Sequence, residues 1–196
     1  MPARFPFALL PLCLLAMAGC QTLPETEEMT ATACEELPCR EASRMVLLDG
    51  AGIARFLEVP QGPRWSAGLL SLIPGESAHL RWTETTDGEL APEWEEEVER
   101  ADLSIRLEQD TASPDRPMRL RIQNRTEQAV YLEADHHPAG DDRFHPLFAA
   151  TVPPGSRVER SWSHLILEIQ LQGWRLLEDA KAKPSVNEQD EGKGTP

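Results

Sequence analysis

Between residues 45 and 177 the chain runs as short apolar stretches separated by Gly, Pro, Asp and Asn, the spacing of successive strands in a β-sandwich or barrel. Two stretches alternate cleanly. Leu103, Ile105 and Leu107 interleave with Ser104, Arg106 and Glu108, and Met118, Leu120 and Ile122 interleave with Arg119, Arg121 and Gln123. A period of two puts each apolar trio on one face of a strand and its polar neighbours in water. Ala78, Leu80 and Trp82 form a third such face, opposed by His79, Arg81 and Thr83.

Turn chemistry divides the other runs. Residues 45–48 and 54–59 flank Asp49-Gly50-Ala51-Gly52, which predicts a hairpin, and residues 69–73 and 78–83 flank the turn signal Pro74-Gly75. Further strands are expected at 130–134, 147–152, 158–162, 165–171 and 174–177, with a turn at 124–127. Residues 92–101 break the pattern. Behind Pro92, the side chains Trp94, Val98 and Ala101 recur at helical spacing, so one short helix is expected there with its glutamates on a solvated face.

The chain also echoes itself. Ile73-Pro74-Gly75 and Val152-Pro153-Pro154-Gly155 are each followed by a tryptophan, Trp82 and Trp162, seven residues after the glycine. Such a turn leading into an inward-facing strand is common in immunoglobulin-like sandwiches. The expected architecture is mainly β: a single antiparallel immunoglobulin-like β-sandwich over residues 34–178 with one short helix.

The two ends read differently. Arg4 precedes an apolar run at 5–16, interrupted by Pro6 and Pro11 and shorter than the ~20 residues of a membrane-spanning helix, as in the central region of a signal peptide. Ala18-Gly19-Cys20 then resembles the bacterial lipobox. Residues 1–19 therefore read as a lipoprotein signal peptide, and Cys20 as the acylated first residue of the mature protein. Gln21 in place of Asp resembles the outer-membrane signal of Gram-negative lipoproteins. Two or more acyl chains, at ~0.8 kcal/mol per buried CH₂, hold a small protein on a bilayer. Residues 20–33, rich in Thr, Glu and Ala, read as a tether, and 179–196 as a disordered polar tail.

Charge narrows the partners. Without residues 1–19 the chain carries 18 basic and 33 acidic side chains, a formal charge of −15, which repels phosphate backbones and argues against nucleic acid. The three lysines, Lys181, Lys183 and Lys193, all lie in the tail. A body without lysine offers neither Schiff-base chemistry nor a phosphate-binding lysine. No G-x-S-x-G elbow is present either, and a non-enzymatic protein is expected.

Three groups of residues remain as candidates. Cys34 and Cys39, in an exported C-E-E-L-P-C, are expected to form a local disulfide. His136, His137 and His145 cluster with Asp135, Asp141 and Asp142, and imidazole with carboxylate suits Zn²⁺ or Cu²⁺, although the spacing matches no established signature. A polar loop rich in Pro and Gly uses the same residues for structural reasons. Trp65, in Gln61-Gly62-Pro63-Arg64-Trp65, is the candidate exposed contact for a glycan or protein partner.

The order of Cys34 to Cys39, the following hairpin, residues 118–124, Tyr131 and Trp162-Ser163-His164-Leu165-Ile166 resembles an uncharacterised family of small proteobacterial exported proteins and lipoproteins. The resemblance implies a secreted β-rich fold and brings no site residues with it. The function expected is that of an outer-membrane-anchored lipoprotein facing the periplasm, acting through an envelope protein partner and requiring no cofactor. A periplasmic Zn or Cu protein and a glycan or peptidoglycan binder are the alternatives.

Overall fold

The computed structural model describes residues 34–177 except 36, 50, 114 and 116. The signal peptide, Cys20, the tether and the tail expected from the sequence lie outside the described residues.

Among the described residues, fourteen strands follow one another. The first part of the chain supplies β1 (Cys39–Arg40), β2 (Ser43–Leu48), β3 (Ala54–Val59), β4 (Gly62–Pro63), β5 (Trp65–Ser66), β6 (Leu69–Leu72) and β7 (Ser77–Glu84). The second supplies β8 (Leu90–Trp94), β9 (Leu103–Gln109), β10 (Met118–Asn124), β11 (Ala129–Pro138), β12 (His145–Val152), β13 (Arg157–Trp162) and β14 (Ile166–Leu177). Ten of them build two five-stranded antiparallel sheets, ordered β13-β10-β9-β7-β8 and β12-β11-β14-β6-β5. The sheets face each other as a β-sandwich, and the expected fold class holds.

Alternation decides which residues meet between them. The trios of β9 and β10 pair across the ladder, Leu107 opposite Leu120 and Ile105 opposite Ile122, and all four are buried. Leu70, Leu72, Val130, Leu132, Ile166, Ile169 and Leu171 face them from the second sheet. Each such side chain contributes about 1.5–3 kcal/mol on burial.

The repeated Pro-Gly turns do the same job twice. One carries the chain from β6 to β7 and the other from β12 to β13, each time from the second sheet to the first. Gly75 and Gly155 take φ of 97° and 61°, a conformation that L side chains avoid. Trp82 and Trp162 then pack against the shared core.

Two expectations are corrected. Residues 92–101 form no α-helix: Pro92 and Trp94 lie in β8, opposite Trp82 and Leu80 of β7, and only a 3₁₀ turn, Val98–Arg100, follows. The open edge of β7 offered backbone partners and a buried place for Pro92, which outweighed a helical pattern resting on three side chains. The strands expected at 165–171 and 174–177 are one strand, β14, along which Gly173 takes φ of 67° where the register with β11 shifts. A glycine there bends the strand without ending it.

The hairpin expected at 45–59 is present, closed by Asp49, whose Oδ1 accepts from the amides of Ala51 and Ile53. It belongs to neither large sheet. Leu47 of its inner face enters the core, and Gln109 at the end of β9 clips its edge by accepting from the Leu48 amide at 3.0 Å and donating to the Leu48 carbonyl at 2.5 Å.

Candidate functional site

The histidines gather at one end of the sandwich. Strand β11 continues past a bulge at Ala134/Asp135, so His136 and His137 are strand residues and their side chains leave on opposite faces. His136 turns toward His145 and His164, with ring centroids 6.1 and 5.3 Å away, and its Nδ1 donates to the His145 carbonyl at 3.1 Å. His137 turns away. Its ring lies 5.4 Å from that of Phe144 and its Nε2 donates to the Asp141 carbonyl at 2.7 Å.

The structure thus replaces the trio His136, His137 and His145 by His136, His145 and His164. His164 sits in the β13–β14 connection, nineteen positions beyond His145, and local spacing gave no signal for it. Partial desolvation and then the neighbouring His136 hold the His164 imidazole below its ordinary pKa. Asp141 is 2.8 Å from Nε2 of His145, and this hydrogen bond holds its carboxyl below the usual range. Among the described residues, no three His, Cys, Asp or Glu side chains converge as a ready ligand set.

Trp65 is corrected outright. It is 9% exposed, belongs to the core and packs its ring 6.3 Å from that of Trp174, whose Nε1 donates to the Gly68 carbonyl at 2.7 Å. A sugar has no open Trp65 face to stack on. The tight β5–β6 turn turns the indole inward, and proximity to Gly and Pro in the sequence did not reveal that.

Cys34 and Cys39 are bonded, with their Cα atoms 5.5 Å apart. The segment they close is fastened by charge. Arg40 donates from Nη2 to both the carbonyl and Oγ of Ser71, at 2.9 and 2.7 Å, and lies 3.2 Å from Glu76. Glu76 also meets Arg64 at 3.5 Å, while Ser71 Oγ donates to Glu168 at 2.6 Å. Desolvation lowers the Arg64 pKa despite Glu76, and its guanidinium covers the Trp94 ring at 4.8 Å.

The edges of the sheets differ sharply. Strand β5 is two residues long, β8 contains Pro92 and runs into Glu95, Glu96 and Glu97, and β13 carries Arg157, Glu159 and Arg160. Each is protected by shortness, proline or charge. Strand β12, eight residues at the end of the other sheet, has Pro146 at its second position, but from Leu147 to Val152 it carries neither proline nor Asp, Glu, Lys or Arg, and Ala149 and Thr151 are exposed there.

Beside the histidine end, a groove of about 400 Å³ opens between the hairpin and the second sheet, lined by Leu47, Leu57, Leu165 and Leu167, with Asp49 and Arg55 on its rim. No family model matches the chain, and no curated protein and no solved structure shows a significant match to it.

Proposed function

We propose that this chain is an outer-membrane lipoprotein, acylated at Cys20, that presents its sandwich to the periplasm and acts by protein contact rather than catalysis. Ala18-Gly19-Cys20 behind the short apolar run supports the anchor, and the Cys34–Cys39 bond supports an oxidising compartment. The observation that carries the contact role is the edge strand β12. Beyond Pro146, a row of edge backbone groups whose own side chains carry no charge is a template for an added strand, and an extended segment of an envelope protein pairs there, beside the Arg160 guanidinium that lies 5.8 Å from the Phe148 ring.

Two measurements test this reading. Palmitate incorporation is expected in the native chain and absent in Cys20→Ser. Photo-cross-linking from Thr151 in intact native cells is expected to give one envelope-protein adduct that Ala149→Lys removes. A chain that takes up no lipid removes the placement, and an adduct pattern indifferent to Ala149→Lys removes the edge contact.

The histidine cluster favours a second reading, a periplasmic Zn or Cu protein. Two imidazoles on one tetrahedral ion, with metal–nitrogen bonds of ~2.0–2.1 Å, have ring centroids about 5 Å apart, close to the 5.3 Å between His136 and His164. His145 supplies a third donor once its Nε2 leaves Asp141. Calorimetric titration with Zn²⁺ and Cu²⁺ decides: saturable heat lost in His136→Ala/His164→Ala supports the metal reading, and its absence removes it.

A further inference from the structure

The β2–β3 hairpin covers the core with one face and leaves the other bare. Its outer face pairs Val46 with Phe56 and Leu48 with Ala54, with Ile53 at the turn. Val46, Leu48, Ile53 and Phe56 are 51%, 38%, 56% and 63% exposed, although three of the four are strand residues with a buried side available to them. Arg44 and Glu58 close the strip at one end, 3.1 Å apart, while Arg55, opposite Leu47 on the other face, reaches Asp49 at the turn, 3.6 Å away.

We infer that this outer face lies on the lipid bilayer beside the acyl anchor, so that the domain is docked on the membrane at two points. The inference rests on the lipoprotein reading and adds an orientation to it. Three observations choose lipid over a second copy or another protein.

The first is charge. The chain as a whole carries −14, yet the hairpin's two arginines and two acidic residues cancel. An acidic body is repelled by anionic headgroups, and a neutral apolar face is the one that approaches them with least cost. The Arg44 guanidinium lies over the Phe56 ring at 4.7 Å, where its stem covers apolar surface while its charge reaches a phosphate level.

The second is reach. Cys34 follows Cys20 by fourteen positions, a length of chain that spans at most about 50 Å. The hairpin begins nine positions further on. A face held this close to the bilayer has an effective concentration that a free domain lacks, so a weak contact suffices.

The third is size. Four partly exposed side chains present on the order of 350 Å² of apolar area, well below the ~800 Å² per partner of a stable protein interface. Lipid demands no complementary shape, and a small patch serves there where it fails a dimer.

The test uses the full acylated chain in phosphatidylethanolamine/phosphatidylglycerol vesicles, with a photo-reactive benzophenone residue in place of Phe56, of Val46 or, as a control, of Glu127. Glu127 precedes β11 while the groove wall at Ala139-Gly140 follows it, so the control lies about 30 Å away along a ten-residue strand. Lipid adducts from positions 46 and 56 are expected about tenfold above those from 127, because the tether favours a docked state in which only the hairpin face meets the bilayer. A dimer-mass adduct, or equal lipid adducts at all three positions, overturns the inference. The mass of the purified chain separates the two failures: without acyl mass at Cys20 the anchor falls and this inference with it, whereas an acylated chain with no enriched adduct loses only the docking.

Discussion

The Glu76 carboxylate stands 3.2 Å from the Arg40 guanidinium, joining the two-residue strand after the disulfide to the turn that carries the chain between sheets. Both side chains are largely buried, at 16% and 10% exposed, and Arg64 leans on the same carboxylate. Removing the acid leaves two guanidinium groups facing each other with little water. Glu76→Gln is expected to cost about 2–4 kcal/mol, because breaking a buried pair from one side strands the remaining charge. The shift in the urea midpoint measures it, and a loss below ~0.5 kcal/mol would show the pair to be screened like a surface bridge.

Asn124 is the second buried polar anchor. Fully buried, it donates through Nδ2 to the carbonyls of Gln128, Val152 and Pro153 at 2.8, 3.1 and 3.1 Å, and accepts through Oδ1 from the amide of Thr126 at 2.9 Å. Two turns at the same end of the sandwich therefore share one side chain. Asn124→Asp points an acceptor at three carbonyls and is expected to destabilise by about 3 kcal/mol or more, with Asn124→Ala costing less. Equal stability of Asp and Asn at neutral pH would contradict this geometry.

Reducing the Cys34–Cys39 bond is expected to cost only about 2 kcal/mol, since a ring this small removes little freedom from the unfolded chain. Urea unfolding with and without reductant, compared with Cys34→Ser/Cys39→Ser, checks the figure. Complete unfolding on reduction would show that the entry segment holds far more of the fold than its contacts imply.

Trp65→Ala is expected to cost about 3–5 kcal/mol, the usual loss for a buried tryptophan. Phe56→Ala, at an exposed position, is expected to stay within ~0.5 kcal/mol. Thermal unfolding of the two variants side by side tests the assignment of one aromatic to the core and the other to the surface.

Acid is expected to weaken the fold in two steps. Partial desolvation lowers the pKa of His79, helped by Arg125 and Arg64, and partial desolvation with His136 lowers that of His164. With folded values below the ~6.5 of an unfolded histidine, the folded state binds fewer protons; stability is complete above pH ~6.5 and drains as pH falls through that value toward the lowered ones. The carboxyls of Asp110, Asp141 and Glu159 also lie below their ordinary values, so their share goes lower, below pH ~4. A urea midpoint that falls between about pH 7.5 and 5, and falls less in His79→Gln/His164→Gln, fits this account. A midpoint that rises over that interval contradicts it.

The cleanest strands were legible because their signal is local. In β9 and β10 every second residue is apolar, and burial follows that period residue by residue. The hairpin was legible from Asp49 and the glycines, and the paired Pro-Gly turns from their repeat before Trp82 and Trp162. Residues 92–101 misled for the converse reason: Trp94, Val98 and Ala101 satisfy a helical period, and only the unpaired edge of β7 made a strand the better use of Pro92 and Trp94.

The candidate site was half legible. His136 and His145 stand out in the sequence as a rich local cluster, but strand geometry sends His137 to the other face and brings His164 in from a later turn. No local pattern says which tryptophan is covered, and so Trp65 went inside with Trp174 while Phe56 stayed out.

Composition and period by themselves determined that this chain makes an acidic, strand-built domain, because charge count and alternation are properties of neighbouring residues. Which strand became an edge free of charged side chains, which hairpin face stayed bare and which histidines met depended on the order of strands within two sheets. That order is settled by contacts between segments far apart in the chain, and their energies are invisible until the core has chosen its pairs.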